Sequence, residues 1–295
     1  MKNLSVILLF FLTGLVSYGF QFELERGQYN VFTFLLCLLA IYIFHNHRKQ
    51  RFIAYLLFSI SIQLKIYPAI FIVMFVDDWR DWKIILRRFA GIGIFNFVLL
   101  FIMGGKMFLE FINAVVTQIA TPGWGWNGNH SIKAFAGLLA NDGLGMIPPN
   151  ILATFQGNPG PVSTLLLLLF LAAFVSAIVI FHLRKEPGID MYLLLTCMIG
   201  ALIIPVSNDY TLSILTAPMA LFLANLPDIK NSRYKFASIL LMLSIAISYS
   251  SLLIPFKYKP YFLNNAFLPL FLILIFTTIL NFLRYKNDGS QPTGI

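Results

Sequence analysis

The stretch FIAYLLFSISIQLKIYPAIFIVMFV, residues 52–76, is apolar enough to cross a bilayer, yet Lys65 sits in its middle and Pro68 follows closely. A lysine at the bilayer centre costs about 2.5–3.5 kcal/mol on insertion scales. The run therefore has two readings. Either it crosses once and carries that cost, or it folds into a short broken hairpin with Lys65 at the tip. The choice sets the direction of every helix that follows, so it decides the topology.

Counting basic residues separates the readings. With a hairpin, Lys2, Arg48, Lys49, Arg51, Arg80, Lys83, Arg87, Arg88, Arg184, Lys185, Lys230, Arg233, Lys235, Arg284 and Lys286 fall inside, which is 15 of the 21 Lys and Arg. Arg26, Lys65, Lys106, Lys133, Lys257 and Lys259 stay outside. A single crossing leaves 8 inside and 12 outside, with Lys65 buried. Cytoplasmic loops carry the excess of Lys and Arg, so the hairpin is expected. Each arm, about 13 residues, reaches about 20 Å against about 30 Å of hydrocarbon. The tip then lies below the outer surface, where irregular backbone is tolerated only beside protein or a wet cavity.

The rest of the chain fits that frame. It has 295 residues, 59% hydrophobic and only 11% charged, whereas soluble domains carry about 25% charged residues. Too little polar surface remains to coat a globule in water. The composition predicts an all-α, polytopic transmembrane protein, read as one integral membrane domain over residues 1–295. Spans are expected near 4–20, 29–44, 89–103, 162–182, 190–206, 210–226, 236–255 and 266–283, about eight besides the hairpin. Lys2 before the first run fits a signal peptide, but no small-residue cleavage site follows, so the run reads as a retained helix. The net charge of +9 reads as basic loops beside anionic lipid and not as a nucleic-acid surface. Cys37 and Cys197 lie inside apolar runs, and no Cys/His spacing suggests a metal. Asp77, Asp78 and Asp81 have two readings: an Asp-x-Asp metal pair, or the acidic start of an interfacial helix anchored by Trp79 and Trp82.

The outer face is richer. Residues 104–161 form the long extracytoplasmic loop. Lys106, Glu110, Asn113 and Thr117 recur at helical spacing opposite Phe108, Phe111, Ile112, Val115 and Ile119, which predicts an amphipathic helix in the interface plane. TPGWGWNGNHS, residues 121–131, then breaks the helix and offers Trp124, Trp126, Asn129 and His130. Polar groups beside indole faces suit a sugar or headgroup, and an aromatic interface belt is the plainer reading. The short run 132–140 is expected to dip into the membrane without crossing. In PVSNDYTL, residues 205–212, Asp209 either faces the outer cavity or helps start the next helix, with Ser207 or Asn208 as its cap. In FQFELERGQYN, residues 20–30, Glu23 and Glu25 either pair with Arg26 or join the same cavity. Arg26, Lys65, His130, Asp209 and a glutamate are expected to converge there.

ERGQYN opening a helix, LKIYP closing a short one about 40 residues on, a cytoplasmic Trp/Arg loop and WNGNHS in a long outer loop together resemble glycosyltransferase family 87. The likeness runs from about residue 20 to the C-terminus and rests on Gly27-Gln28-Tyr29-Asn30, Lys65-Ile66-Tyr67-Pro68 and Asn129-His130-Ser131. It implies a GT-C-like fold in a bacterial inner membrane. The activity implied is a hexosyltransferase, and mannosyltransferase in particular. The sugar would pass from a polyprenyl-phosphate donor to a lipid or glycan acceptor on the extracytoplasmic face, with no cofactor, metal or nucleotide sugar. Two departures stand out. Relatives carry a further N-terminal helix and a first outer loop holding an acidic base, and this chain is expected to lack both. Many also place a histidine where this chain has Asp209-Tyr210.

Sugar transfer from a lipid phosphate needs a carboxylate to take the acceptor proton and cations to hold the leaving phosphate. Glu25 and Asp209 are the candidate bases. Arg26 offers a bidentate fork and Lys65 a point charge for the donor phosphate. Gln28, Asn30, Tyr67, Trp124, Trp126, Asn129 and His130 are candidates for the sugar or acceptor. A lipid flippase or solute transporter would also gather charges in a membrane cavity, though usually with paired repeats of broken helices. A truncated, non-catalytic remnant of the transferase would keep the fold without the base.

Overall fold

The computed structural model describes residues 4–102, 104–120, 128–140, 153, 159–184, 188–224, 232–253 and 265–288. Every regular element among them is helical. In chain order they are α1 (Leu4–Leu15), α2 (Tyr18–Glu25), α3 (Asn30–Asn46), α4 (Arg51–Leu64), α5 (Trp82–Leu100) and α6 (Gly105–Ala120). Then follow α7 (Ile132–Ala140), α8 (Gly160–Arg184), α9 (Met191–Ile203), α10 (Thr216–Ala224), α11 (Ser232–Leu253) and α12 (Phe267–Asp288). Short 3-10 helices cover Tyr67–Met74 and Asp209–Leu215.

Helix α8 and residues Phe267–Lys286 of α12 are long and apolar enough to cross a membrane. Two bent pairs, α1 with α2 and α5 with α6, raise the number of candidate spans among the described residues to 4 if each pair is one span. Helices α3 and α9 and the segment Tyr234–Ser248 of α11 are shorter apolar segments. The sequence expectation of about eight rests on hydropathy alone, whereas these candidates also need long regular helices among the described residues. The run 210–226, for example, begins as the 3-10 helix Asp209–Leu215 and becomes α-helical only at Thr216.

The apolar run 4–20 is likewise not one helix. It bends by 45° between α1 and α2. Ser17 is the reason: its Oγ donates to the Gly14 carbonyl at 2.7 Å and accepts from the Phe20 N–H at 3.2 Å, capping a new helix. Helix α2 then stops at Gly27, whose φ of +60° only glycine adopts freely. The Gln28 N–H reaches the Glu23 carbonyl at 2.9 Å and the Gly27 N–H reaches Leu24 at 3.1 Å. That pattern is a Schellman stop, so the ERGQ segment is a helix terminator.

The chain forms two compact units, Met1–Gln28 with Gly125–Ile295, and Tyr29–Trp124. In the first, α9 is the central rod, with every residue from Tyr192 to Ile203 buried, and it packs on α8, α10 and α12. Asp190 starts it by accepting from the Leu193 N–H at 2.8 Å, and Arg184 pairs with the same carboxylate at 3.3 Å. Helix α1 lies against α10. A Cβ on Gly14 would stand 2.6 Å from Thr216 Cγ2, so glycine permits that approach.

The second unit contains the apolar run 52–76. Helices α3 and α4 pack together, and α4 ends at Lys65 in extended backbone. The 3-10 helix Tyr67–Met74 then runs back. Its first residue lies beside the start of α3, where the Tyr67 hydroxyl donates to the Asn30 carbonyl at 2.7 Å. Its last lies beside the end of α3, where the Met74 carbonyl meets His45 Nε2 at 2.8 Å. Just beyond, Asp77 binds Arg51, the first residue of α4, and Arg88 at 3.0 Å. The run therefore reverses at Lys65–Ile66 and finishes where it began. A 3-10 helix rises about 2.0 Å per residue, so this short return covers about 16 Å. Phe44, Phe58 and Phe75 fill the interior, with Phe58 and Phe75 centroids 4.4 Å apart.

Both Asp77 oxygens are thus held by arginines, and Asp78 accepts from the Arg80 N–H at 2.9 Å. The acidic residues serve ion pairs and a turn. Further on, Gly104 at φ +89° turns the chain so that α6 leaves α5 at 111°. Phe108 docks α6 against Phe101 at 4.4 Å, while Lys106, Glu110 and Asn113 are exposed.

The reversal has a direct check. Single cysteines at Lys49 and Arg80 are expected to react with a membrane-impermeant maleimide from the same side of the membrane. Labelling from opposite sides would contradict the return of the chain.

Candidate functional site

In the first unit the site grows from three buried residues, Asn129, His130 and Ser131, which are 1%, 0% and 2% exposed. The segment has little room to move. The His130 N–H donates to the Ser207 carbonyl at 2.8 Å. Asn129 Oδ1 accepts from the Ser131 and Ser207 N–H groups, each at 3.2 Å. Asn265 Nδ2 donates to the Asn129 carbonyl at 2.9 Å, and its Oδ1 accepts from the Phe267 N–H at 2.9 Å. Three distant stretches, at 129–131, 207 and 265–267, are thereby tied together.

The ring of His130 is set by the same knot. The Ala266 N–H donates to Nδ1 at 3.1 Å. A backbone N–H cannot accept, so Nδ1 must be bare and the ring proton sits on Nε2. Nε2 therefore donates to Asp209 Oδ1, 3.0 Å away. Asp209 is spared the capping role, because Asn208 caps the 3-10 helix in a reciprocal box with Thr211. Its side chain is 33% exposed while His130 is fully covered. One carboxylate oxygen is held from behind and the group still reaches solvent.

Helix α2 supplies the next residues. Phe22 stacks on Tyr18 at 5.4 Å, meets the edge of Tyr210 at 5.6 Å and carries the Arg26 guanidinium at 5.0 Å. The Tyr18 hydroxyl lies within electrostatic reach of Asp209, Glu25 and Arg26. Glu25 and Arg26 are exposed. The structure therefore gathers Glu25, Arg26, Asn129, His130 and Asp209 in the first unit.

Glu23 is the residue that sequence reasoning underrated. It is 2% exposed, and Ser213 Oγ lies 2.6 Å from its Oε2. At about 100° per residue, Glu23 and Glu25 point about 200° apart on α2. That spacing is the signal that one acid faces inward and the other outward.

The second unit holds Asn30, Lys65 and Tyr67. Tyr67 fixes the backbone of Asn30 through its hydroxyl. Asn30 is buried, and its Nδ2, like Thr33 Oγ1, has no partner among the described residues. Lys65 is half-buried and borders a groove of about 680 Å³ between α4, α5 and α6. The groove walls are mostly apolar, including Leu64, Phe97, Leu100 and Phe108, with Gln63 and Asn96 as polar interruptions. Gln28 belongs to the helix stop after α2 and is half-buried. Trp124 and Trp126 lie outside the described residues. Among the described residues no three His, Cys, Asp or Glu side chains group as a metal site.

Removing the knot has a calculable effect. Asn129→Ala strands two buried N–H groups, each costing roughly 1–3 kcal/mol. A clearly lowered thermal midpoint is expected for the detergent-solubilised protein, against almost no shift for the exposed Glu25→Ala.

The sequence was also compared with known proteins. The model of glycosyltransferase family 87 matches residues 3–205, more than half of the chain. No curated protein and no solved structure matches it. The matched region contains Arg26, Lys65 and the segment that holds His130. With its helical architecture and these motifs in order, the chain belongs to glycosyltransferase family 87.

Proposed function

We propose that the chain moves a hexose, mannose by its family likeness, from a polyprenyl-phosphate donor to a lipid or glycan acceptor. The reaction takes place on the extracytoplasmic face of a bacterial inner membrane, in one integral domain of about eight spans with a re-entrant hairpin. The observation that carries this reading is the half-open Asp209, held at 3.0 Å by a buried histidine whose proton position is dictated by backbone. A base must present a fixed lone pair to the acceptor hydroxyl, and this arrangement supplies one.

Asp209 takes the proton of the acceptor hydroxyl as its oxygen bonds to the anomeric carbon. The bond from that carbon to the phosphate oxygen breaks, and the phosphate leaves with the electron pair. Arg26 and Lys65 are the cations proposed to meet phosphate charge. The apolar groove bordered by Lys65 suits a prenyl chain, because its walls are hydrocarbon and its cation stands at the edge.

Glu25 is the alternative base. It belongs to the same cluster, but no hydrogen bond orients its carboxylate among the described residues. His130 and Asn129 act by holding Asp209 and its loop. Gln28, Asn30, Tyr67, Trp124 and Trp126 are proposed to contact sugar or acceptor. Asn30 has a buried amide, unpartnered among the described residues, that suits a hydroxyl.

An assay with radiolabelled polyprenyl-phosphate mannose and membrane acceptors tests the assignment. Asp209→Asn keeps the shape of the side chain and removes the base, so transfer should fall by about 10²–10⁴-fold. Glu25→Gln should change it little. Normal transfer by Asp209→Asn would remove Asp209 from the mechanism.

A further inference from the structure

We infer that the groove between α4 and α5, at the end away from Lys65, is a binding site for one anionic phospholipid, independent of the sugar-transfer site. The groove holds about 390 Å³ and is walled by Phe52, Tyr55, Leu56, Ile92 and Phe95. Arg87 and Arg88 stand at one end and Ser59 at the other. Asn96 Nδ2 donates to Ser59 Oγ at 3.0 Å and Gln63 binds Asn96 Oδ1 at 3.0 Å. This polar rung closes the apolar channel before the groove that Lys65 borders.

Charge and length fit that ligand. Arg51 and Arg88 share one partner, Asp77, and lie over the Phe44 ring at 4.5 and 5.3 Å. One acid against two arginines leaves a positive excess. Arg87, exposed and on the groove lining, makes no ion pair among the described residues. Along α5, Arg87 to Phe95 spans about 12 Å, close to one leaflet of a hydrocarbon core about 30 Å thick. A phosphate beside Arg87 would thus place an acyl chain along the channel. Basic pockets between membrane helices select anionic headgroups in this way.

Gly91 supplies an independent sign. It lines the groove, and a Cβ added there would meet nothing within 4 Å among the described residues. Packing against the described residues does not require glycine at this position, and mid-helix glycine costs about 1 kcal/mol against alanine. Its absent side chain keeps the channel open to something outside the chain.

Native mass spectrometry of the full chain released from mixed micelles is the test, with phosphatidylglycerol and phosphatidylcholine of matched chains in competition. The wild type should retain one lipid and favour phosphatidylglycerol about fivefold or more, the size of one basic side chain beside anionic lipid. Arg87→Gln should erase most of that preference. Gly91→Leu should lose the retained lipid of either kind while keeping the wild-type thermal midpoint. Equal retention of both lipids by the wild type means ordinary annular contact and overturns the proposal. So does an unchanged preference in Arg87→Gln, or an undiminished lipid peak in a folded Gly91→Leu.

Discussion

A single backbone N–H, that of Ala266, governs the candidate site. It can only donate, so the His130 nitrogen facing it at 3.1 Å can only accept. The ring's one proton is thereby sent to the opposite nitrogen and on to Asp209 at 3.0 Å. Three asparagines nearby hold that ring and its partner in place. Asn129 ties its own segment to Ser207, Asn265 ties the start of α12 to Asn129, and Asn208 takes the capping work that Asp209 would otherwise share. In an apolar protein an unsatisfied buried polar group is costly, so such a knot holds together as a whole or not at all.

The same economy of polar groups shapes the rest of the molecule. Ser17 bends the first apolar run, because a hydroxyl within reach of both Gly14 and Phe20 starts a second helix. Lys65 and Pro68 break the second, and the Arg51–Asp77–Arg88 group closes it at the base. Ser59, Asn96 and Gln63 form one rung between α4 and α5, with an apolar groove on either side. In each case a few side chains with hydrogen-bonding capacity decide where otherwise uniform hydrocarbon turns, ends or opens.

Much of this was legible in the sequence, for reasons tied to particular residues. Low charge and recurring apolar runs announce a helical membrane protein. The order of ERGQYN, LKIYP and WNGNHS points to the family that the comparison then matched. The break at Lys65 was legible because a lysine in mid-run and a following proline both oppose a continuous helix. The bend at Ser17 was not, since one serine in an apolar run resembles a tolerated passenger. The run 210–226 reads as one span because hydropathy continues through the 3-10 helix Asp209–Leu215. The partner of His130 was beyond reach: Ala266 lies 136 residues away and acts through its backbone, which leaves no trace in residue identity.

The account stands most directly on where the His130 proton resides. Nitrogen-15 magnetic resonance of the histidine-labelled full chain in lipid nanodiscs reads this, with His130 assigned by the signal lost in His130→Gln. The account predicts a bare, hydrogen-bonded Nδ1 and a protonated Nε2 whose resonance moves in Asp209→Asn. A proton on Nδ1, or an Nε2 signal indifferent to Asp209→Asn, would contradict it.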